Sequence, residues 1–132
     1  MSTSALRLPL ILCIDDSEVC LKVRGLVLAS AGYSVLTATS AEEGFELFKE
    51  NPIDLVVADH FLSGMTGTEV ARQMKAYKPQ VPILIVSASL ERPAGLEFTD
   101  GFLSKATGPD AFFLAVTSLL DPSRSQRQNS NV

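Results

Sequence analysis

Leu8-Pro9-Leu10-Ile11-Leu12-Cys13-Ile14-Asp15-Asp16 is a continuous apolar run that stops at two carboxylates. It has no alternation of apolar and polar residues, as expected for a strand covered on both faces of a parallel sheet. Four later stretches repeat the pattern: Ser34–Ala38, Leu55–Ala58, Ile83–Val86 and the brief Phe102–Leu103. Helix-period segments lie between them. In the first, Val19, Val23, Leu26, Val27 and Ser30 share a face, with Gly32 as the stop. The second and third open on the capping boxes Ser40-Ala41-Glu42-Glu43 and Thr66-Gly67-Thr68-Glu69. The second aligns Ala41, Gly44, Phe45 and Phe48; the third aligns Val70, Met74 and Tyr77. The last begins near Pro109 and aligns Phe112, Val116, Leu119 and Leu120. Strict alternation of five strands with helices predicts an α/β, doubly wound parallel sheet. Pro93 and Gly95 make the fourth helix short or irregular.

The chain has 132 residues, enough for one domain. Residues 1–7 read as an N-terminal extension, 8–120 as the folded domain and 121–132 as a disordered polar tail. Apolar residues make up 46% and charged residues 20%, an ordinary globular mixture. A formal charge of −4, from 15 acidic and 11 basic side chains, argues against direct nucleic-acid binding. The first apolar run is too short to cross a bilayer, so no membrane insertion is expected. Cys13 and Cys20, with one histidine in the chain, cannot assemble a zinc site and read as reduced thiols of a cytoplasmic protein.

In open α/β sheets, ligands bind at the carboxyl ends of the strands. Those ends carry Asp15-Asp16, Asp59, Ser87 and Lys105. With a sheet order of 2-1-3-4-5, the three carboxylates meet on one rim. Asp54, Asp100 and Asp110 are assigned to caps and turns. Carboxylates about 4 Å apart repel by about 4 kcal/mol at an effective dielectric of 20, so the rim calls for a cation. An open, oxygen-only set suits Mg²⁺, which keeps waters and is often shared with a phosphate. Carboxylates, Mg²⁺, a lysine and a hydroxyl are the parts needed to place a phosphoryl group on an aspartate. His60, beside Asp59, reads as an exposed structural residue.

On these residues the chain resembles a response-regulator receiver domain of two-component signalling, with the flavodoxin-like (βα)5 fold. The motifs are Asp15-Asp16, Asp59 after Leu55-Val56-Val57-Ala58, Gly67, Ser87-Ala88 and Phe102-Leu103-Ser104-Lys105, and they span Leu8 to Leu120. The resemblance implies that Asp59 is the phospho-acceptor, supplied by a sensor histidine kinase or phosphotransfer protein. It implies Mg²⁺ held by Asp16 and Asp59, by Asp15 through water and by the backbone carbonyl of Phe61. Lys105, Ser87 and the small Ala88 would accommodate the phosphoryl group, with Ser87 and Phe102 as switch residues. It implies a signalling domain with at most self-phosphorylation and self-dephosphorylation, not an enzyme with a separate substrate.

The length is read as a stand-alone regulator that signals through a downstream protein target. Family members usually dimerise or dock partners through the fourth helix, fifth strand and last helix, so a dimer is one expected state. Ala106 stands where the family usually has proline after the lysine, which predicts a trans Lys105–Ala106 peptide or a locally strained loop. Phe61 is expected to obstruct the attacking water and prolong the aspartyl phosphate. Two other uses of a strand-end aspartate fit less well. A haloacid-dehalogenase-type phosphatase needs a second Asp where Ser17 stands, and a flavodoxin-type carrier would not put Asp-Asp-Ser-Glu at its phosphate loop. The remaining alternative is a receiver-like scaffold that binds without phosphorylation.

Overall fold

The computed structural model describes residues 7–89 and 91–121. The expected N-terminal extension and polar tail therefore lie almost wholly outside the described residues. Arg7 is described: it forms an ion pair with Asp54 at 3.1 Å.

The apolar run becomes β1 (Leu10–Ile14), followed by α1 (Glu18–Ser30), β2 (Ser34–Ala38), α2 (Ala41–Glu50) and β3 (Leu55–Asp59). A small hairpin of β4 (Phe61–Leu62) and β5 (Met65–Thr66) leads into α3 (Gly67–Tyr77), then β6 (Ile83–Ser87), β7 (Gly101–Ser104) and α4 (Gly108–Leu120). The main sheet has five strands in the order β2-β1-β3-β6-β7, all pairs parallel. This is the order 2-1-3-4-5 expected from the sequence, once the hairpin strands are set aside. Between β6 and β7 the described residues form no α-helix, only a 3₁₀ turn over Leu96–Phe98.

Each central strand feeds two cores. Leu12, Ile14, Val56, Ala58, Ile83 and Ile85 join the cluster under α2 and α3, with Phe48, Val70 and Met74. Their neighbours Ile11, Cys13, Leu55, Val57, Leu84 and Val86 join the cluster under α1 and α4, with Leu21, Leu28 and Val116. Full burial on both faces explains why these strands read as uninterrupted apolar runs.

Local signals set the helix starts. Ser17, Ser40 and Thr66 are N-caps whose side chains accept from the backbone N–H three residues on. The Glu43 carboxylate reaches back to Thr39 N–H at 2.9 Å. After α1, Gly32 takes φ of 96°, the left-handed conformation that ends a helix cheaply only in glycine.

The buried face of α1 differs from the sequence expectation. Val19, Val23 and Leu26 are 73%, 57% and 65% exposed, whereas Leu21 and Leu28 are buried. The helix is apolar on more than one side, so periodicity alone does not choose a face. The choice places Arg24, between the two leucines, toward the sheet, where it meets Asp15.

Candidate functional site

Asp15, Asp16 and Asp59 converge because β1 and β3 are adjacent and parallel, so their carboxyl ends share an edge. Each offers a carboxylate oxygen within 4.8 Å of the others. Asp15 and Asp59 are buried and Asp16 is exposed. The set is oxygen-only, close-spaced and open on one side, which fits a hard divalent ion such as Mg²⁺.

Lys105 Nζ ties the rim together from β7's side, 3.1 Å from Asp15 Oδ2 and 3.3 Å from Asp59 Oδ2. Burial alone lowers the Lys105 pKa, but the pull of Asp15 and Asp59 outweighs it and the net shift is upward. Asp59 is raised above the ordinary carboxylate range, first by burial and then by the Asp15 charge, with Lys105 opposing. The Phe61 N–H also points at Asp59 Oδ1, at 3.4 Å. Ser17 N–H donates to Asp15 Oδ1 at 2.9 Å.

Ser87 ends β6 and is buried, its Oγ accepting from Ser89 N–H at 3.2 Å. Ala88 beside it is exposed. Phe102 is half-buried against the core, with the Arg92 guanidinium 5.3 Å from its ring centroid. The side chain of Phe61 is 56% exposed. Among the described residues no peptide bond is cis, so Lys105–Ala106 is trans as expected. Gly67 is required by packing: a Cβ there would lie 2.9 Å from His60 Cα and closer still to the Asp59 carbonyl. The start of α3 is thereby pressed against the backbone that carries Asp59.

Two residues depart from the sequence reading. His60 is buried, not exposed, with its ring edge-on to Phe61 at 5.0 Å. Burial lowers its pKa, against the nearby Asp59 charge. The hairpin after β3 folds over it, since His60 N–H donates to Val86 O and Gly67 N–H to His60 O. Arg24 is the residue sequence reasoning missed. Its Nη1 lies 3.4 Å from Asp15 Oδ2, and its side chain is 10% exposed. An arginine on an amphipathic helix is ordinarily placed in solvent, and no spacing rule points it inward.

Of the acids assigned to caps and turns, Asp54 and Asp100 keep structural roles, whereas Asp110 lies within the first turn of α4 and caps nothing among the described residues. Asp54 Oδ2 accepts from Leu10 N–H and Asp100 Oδ2 from Ile83 N–H, each at 2.8 Å. Both sit at the opposite edge, where strands begin. Cys13 and Cys20 are free thiols, and burial pushes Cys13 up to about 12. Lys105 Nζ is 3.9 Å from Cys20 Sγ. A cavity of about 530 Å³ lies between α1 and the start of α4, lined in part by Val19, Val23, Arg24, Lys105 and Phe112. Among the described residues no helix is long and apolar enough to cross a membrane.

A doubly wound five-stranded sheet with an acidic cluster and a lysine at its carboxyl edge defines a class, and the comparisons identify it. The family model for the response regulator receiver domain matches residues 11–117, and the chain belongs to that family. The transcriptional regulatory protein GlrR of Escherichia coli (strain K12) is 32% identical over 117 residues, which cover 86% of this chain and 26% of GlrR. The chain thus spans about a quarter of that relative's length, and the expectation of a stand-alone regulator draws no support from it. A CheY-like receiver domain protein from Methanospirillum hungatei JF-1 superposes with a TM-score of 0.83 at 23% identity, covering 91% of this chain and 99% of that one. The response regulator TrrA of Thermotoga maritima, solved with Mg²⁺-BeF, gives 0.81 at 26% identity, covering 86% of this chain and 100% of TrrA. TrrA has also been solved in complex with the histidine kinase ThkA.

Proposed function

We propose that this receiver domain accepts a phosphoryl group on Asp59 from a histidine of a sensor kinase or phosphotransfer protein, and passes the signal on by protein contact. The observation that carries the reading is the position of Asp59, buried at the end of β3, within 3.3 Å of Lys105 and inside the three-carboxylate cluster. An Asp59 oxygen attacks phosphorus in line with the phosphorus–nitrogen bond. The phosphorus–oxygen bond forms, the phosphorus–nitrogen bond breaks, and the departing imidazole keeps the electron pair and takes a proton from solvent. Asp16, Asp59 and the Phe61 carbonyl, with Asp15 through water, would hold Mg²⁺, which would neutralise the carboxylates and the incoming phosphoryl oxygens.

The chain's own groups do the rest. Lys105 moves its pairing from the carboxylates to a phosphoryl oxygen. Ser87 turns its hydroxyl from Ser89 N–H to the same group, and the methyl of Ala88 leaves room. Phe102 leaves Arg92 and turns inward, changing the surface a downstream target reads. The exposed Val19, Val23 and Leu26, beside the cavity that Lys105 lines, give the incoming kinase an apolar footing. The TrrA–ThkA complex is the precedent for such a partner. The reaction is self-directed, so the chain is a phospho-accepting signal carrier, not an enzyme with a separate substrate. Its free thiols suit a reducing cytoplasm.

Incubation with a small acyl phosphate and Mg²⁺, read by intact mass, tests the reading. One added phosphoryl group on the native chain, absent from Asp59→Asn, is the expected result. No adduct from either the small donor or a kinase rejects it in favour of a scaffold that binds without phosphorylation.

A further inference from the structure

Arg24 enters the acidic rim from a helix whose inward face is otherwise apolar. Its side chain is nine-tenths buried, and Nη1 lies 3.4 Å from Asp15 Oδ2. That nitrogen is buried and makes no hydrogen bond to the described residues, so what holds it there is the charge of Asp15. Asp15 Oδ2 thus meets two cations, Arg24 and Lys105, while its Oδ1 accepts from Ser17 N–H at 2.9 Å. Both oxygens of this fully buried carboxylate are engaged by the protein itself.

The charge count decides what this does. Three carboxylates against Lys105 alone would leave the rim two charges negative, a strong attraction for a divalent ion. With Arg24 the rim is one charge negative, and a divalent ion arriving there meets a guanidinium fixed at the same carboxylate. We infer that Arg24 is a positioning residue that competes with Mg²⁺ for Asp15 and lowers the affinity of the rim for the metal. The metal-free receiver is then held together by an internal counter-ion, and the metal is bound firmly only when a phosphoryl group brings further negative charge.

The size of the effect follows from Coulomb's law. One unit charge about 6–10 Å from a divalent ion, at a dielectric near that of water, changes its affinity by roughly threefold to tenfold. This inference rests on the reading of the triad as a Mg²⁺ site, and the two are separable by experiment. Mg²⁺ is titrated by calorimetry into the full chain, Arg24→Met, Arg24→Gln and Arg24→Lys, with circular dichroism as the check on folding. The Met and Gln variants are expected to bind Mg²⁺ about threefold to tenfold more tightly than the native chain. The Lys variant, which keeps the charge, stays within about twofold. A merely structural arginine would weaken or leave unchanged the affinity of the folded neutral variants, and either result overturns the inference. On the native chain, Mg²⁺ is expected to shift the Arg24 Nε–H resonance as the ion pair loosens; an unmoved resonance at saturation overturns it without any variant. Absence of Mg²⁺ binding by every form overturns both this inference and the reading of the triad.

Discussion

Asp59 sits where burial and charge work against its ionised form, and that tension is measurable. Its pKa is raised by burial and by Asp15, only partly offset by Lys105. The stability tied to its neutral form is present below the ordinary carboxylate range and lost as pH rises through the raised value. Asp59→Asn should therefore raise the melting point of the metal-free protein at pH 7 by a few degrees, on the order of 1 kcal/mol. The gain should vanish below about pH 4, where both side chains are neutral, as thermal scans across pH would show. Phe61 tests a different property. Its side chain is 56% exposed and stands two residues after Asp59. Phe61→Asn should shorten the aspartyl-phosphate lifetime, followed by loss of the phosphoryl mass with time; an unchanged half-life counts against water exclusion by the ring. The strand-end acids were legible because polar residues interrupt apolar runs at one edge. Arg24 and the burial of His60 were not, because both depend on how the neighbouring helix and hairpin close over the rim.

Among the elements, α1 shows where periodicity stops being informative. Its two leucines at Leu21 and Leu28 are buried, while Val19, Val23 and Leu26 remain exposed. Leu28→Ala should cost about 2–5 kcal/mol in denaturant unfolding, whereas Leu26→Ala should stay within about 0.5 kcal/mol. Equal costs would contradict this face assignment. In α2 and α3 the capping boxes and a single apolar stripe agree, so Ala41, Phe48, Val70 and Met74 fell on the core as read. Tyr77, at the end of the third stripe, is 54% exposed because α3 ends there. Gly67 couples element to site. Gly67→Ala should push α3 from the Asp59–His60 backbone, lowering both stability and acceptor competence, read by unfolding and by phosphoryl uptake.

For the whole molecule, topology does most of the positioning. Parallel strands in the order β2-β1-β3-β6-β7 put four polar strand ends on one edge and the structural acids Asp54 and Asp100 on the other. Alternation alone points to a parallel sheet with helices on both faces; the order itself is what the family resemblance implies. The segment between β6 and β7 was readable only as a weak helix, and its described residues keep just the 3₁₀ turn, Pro93 and Gly95 leaving little helical propensity. The central claim, that Asp59 is the acceptor, is tested most directly by trapping the product. The native chain is exposed to an acyl phosphate with Mg²⁺, reduced with borohydride, digested, and sequenced by mass spectrometry. Homoserine at residue 59 is the predicted result; homoserine at Asp15, Asp16 or any other aspartate, or none at all, would contradict it.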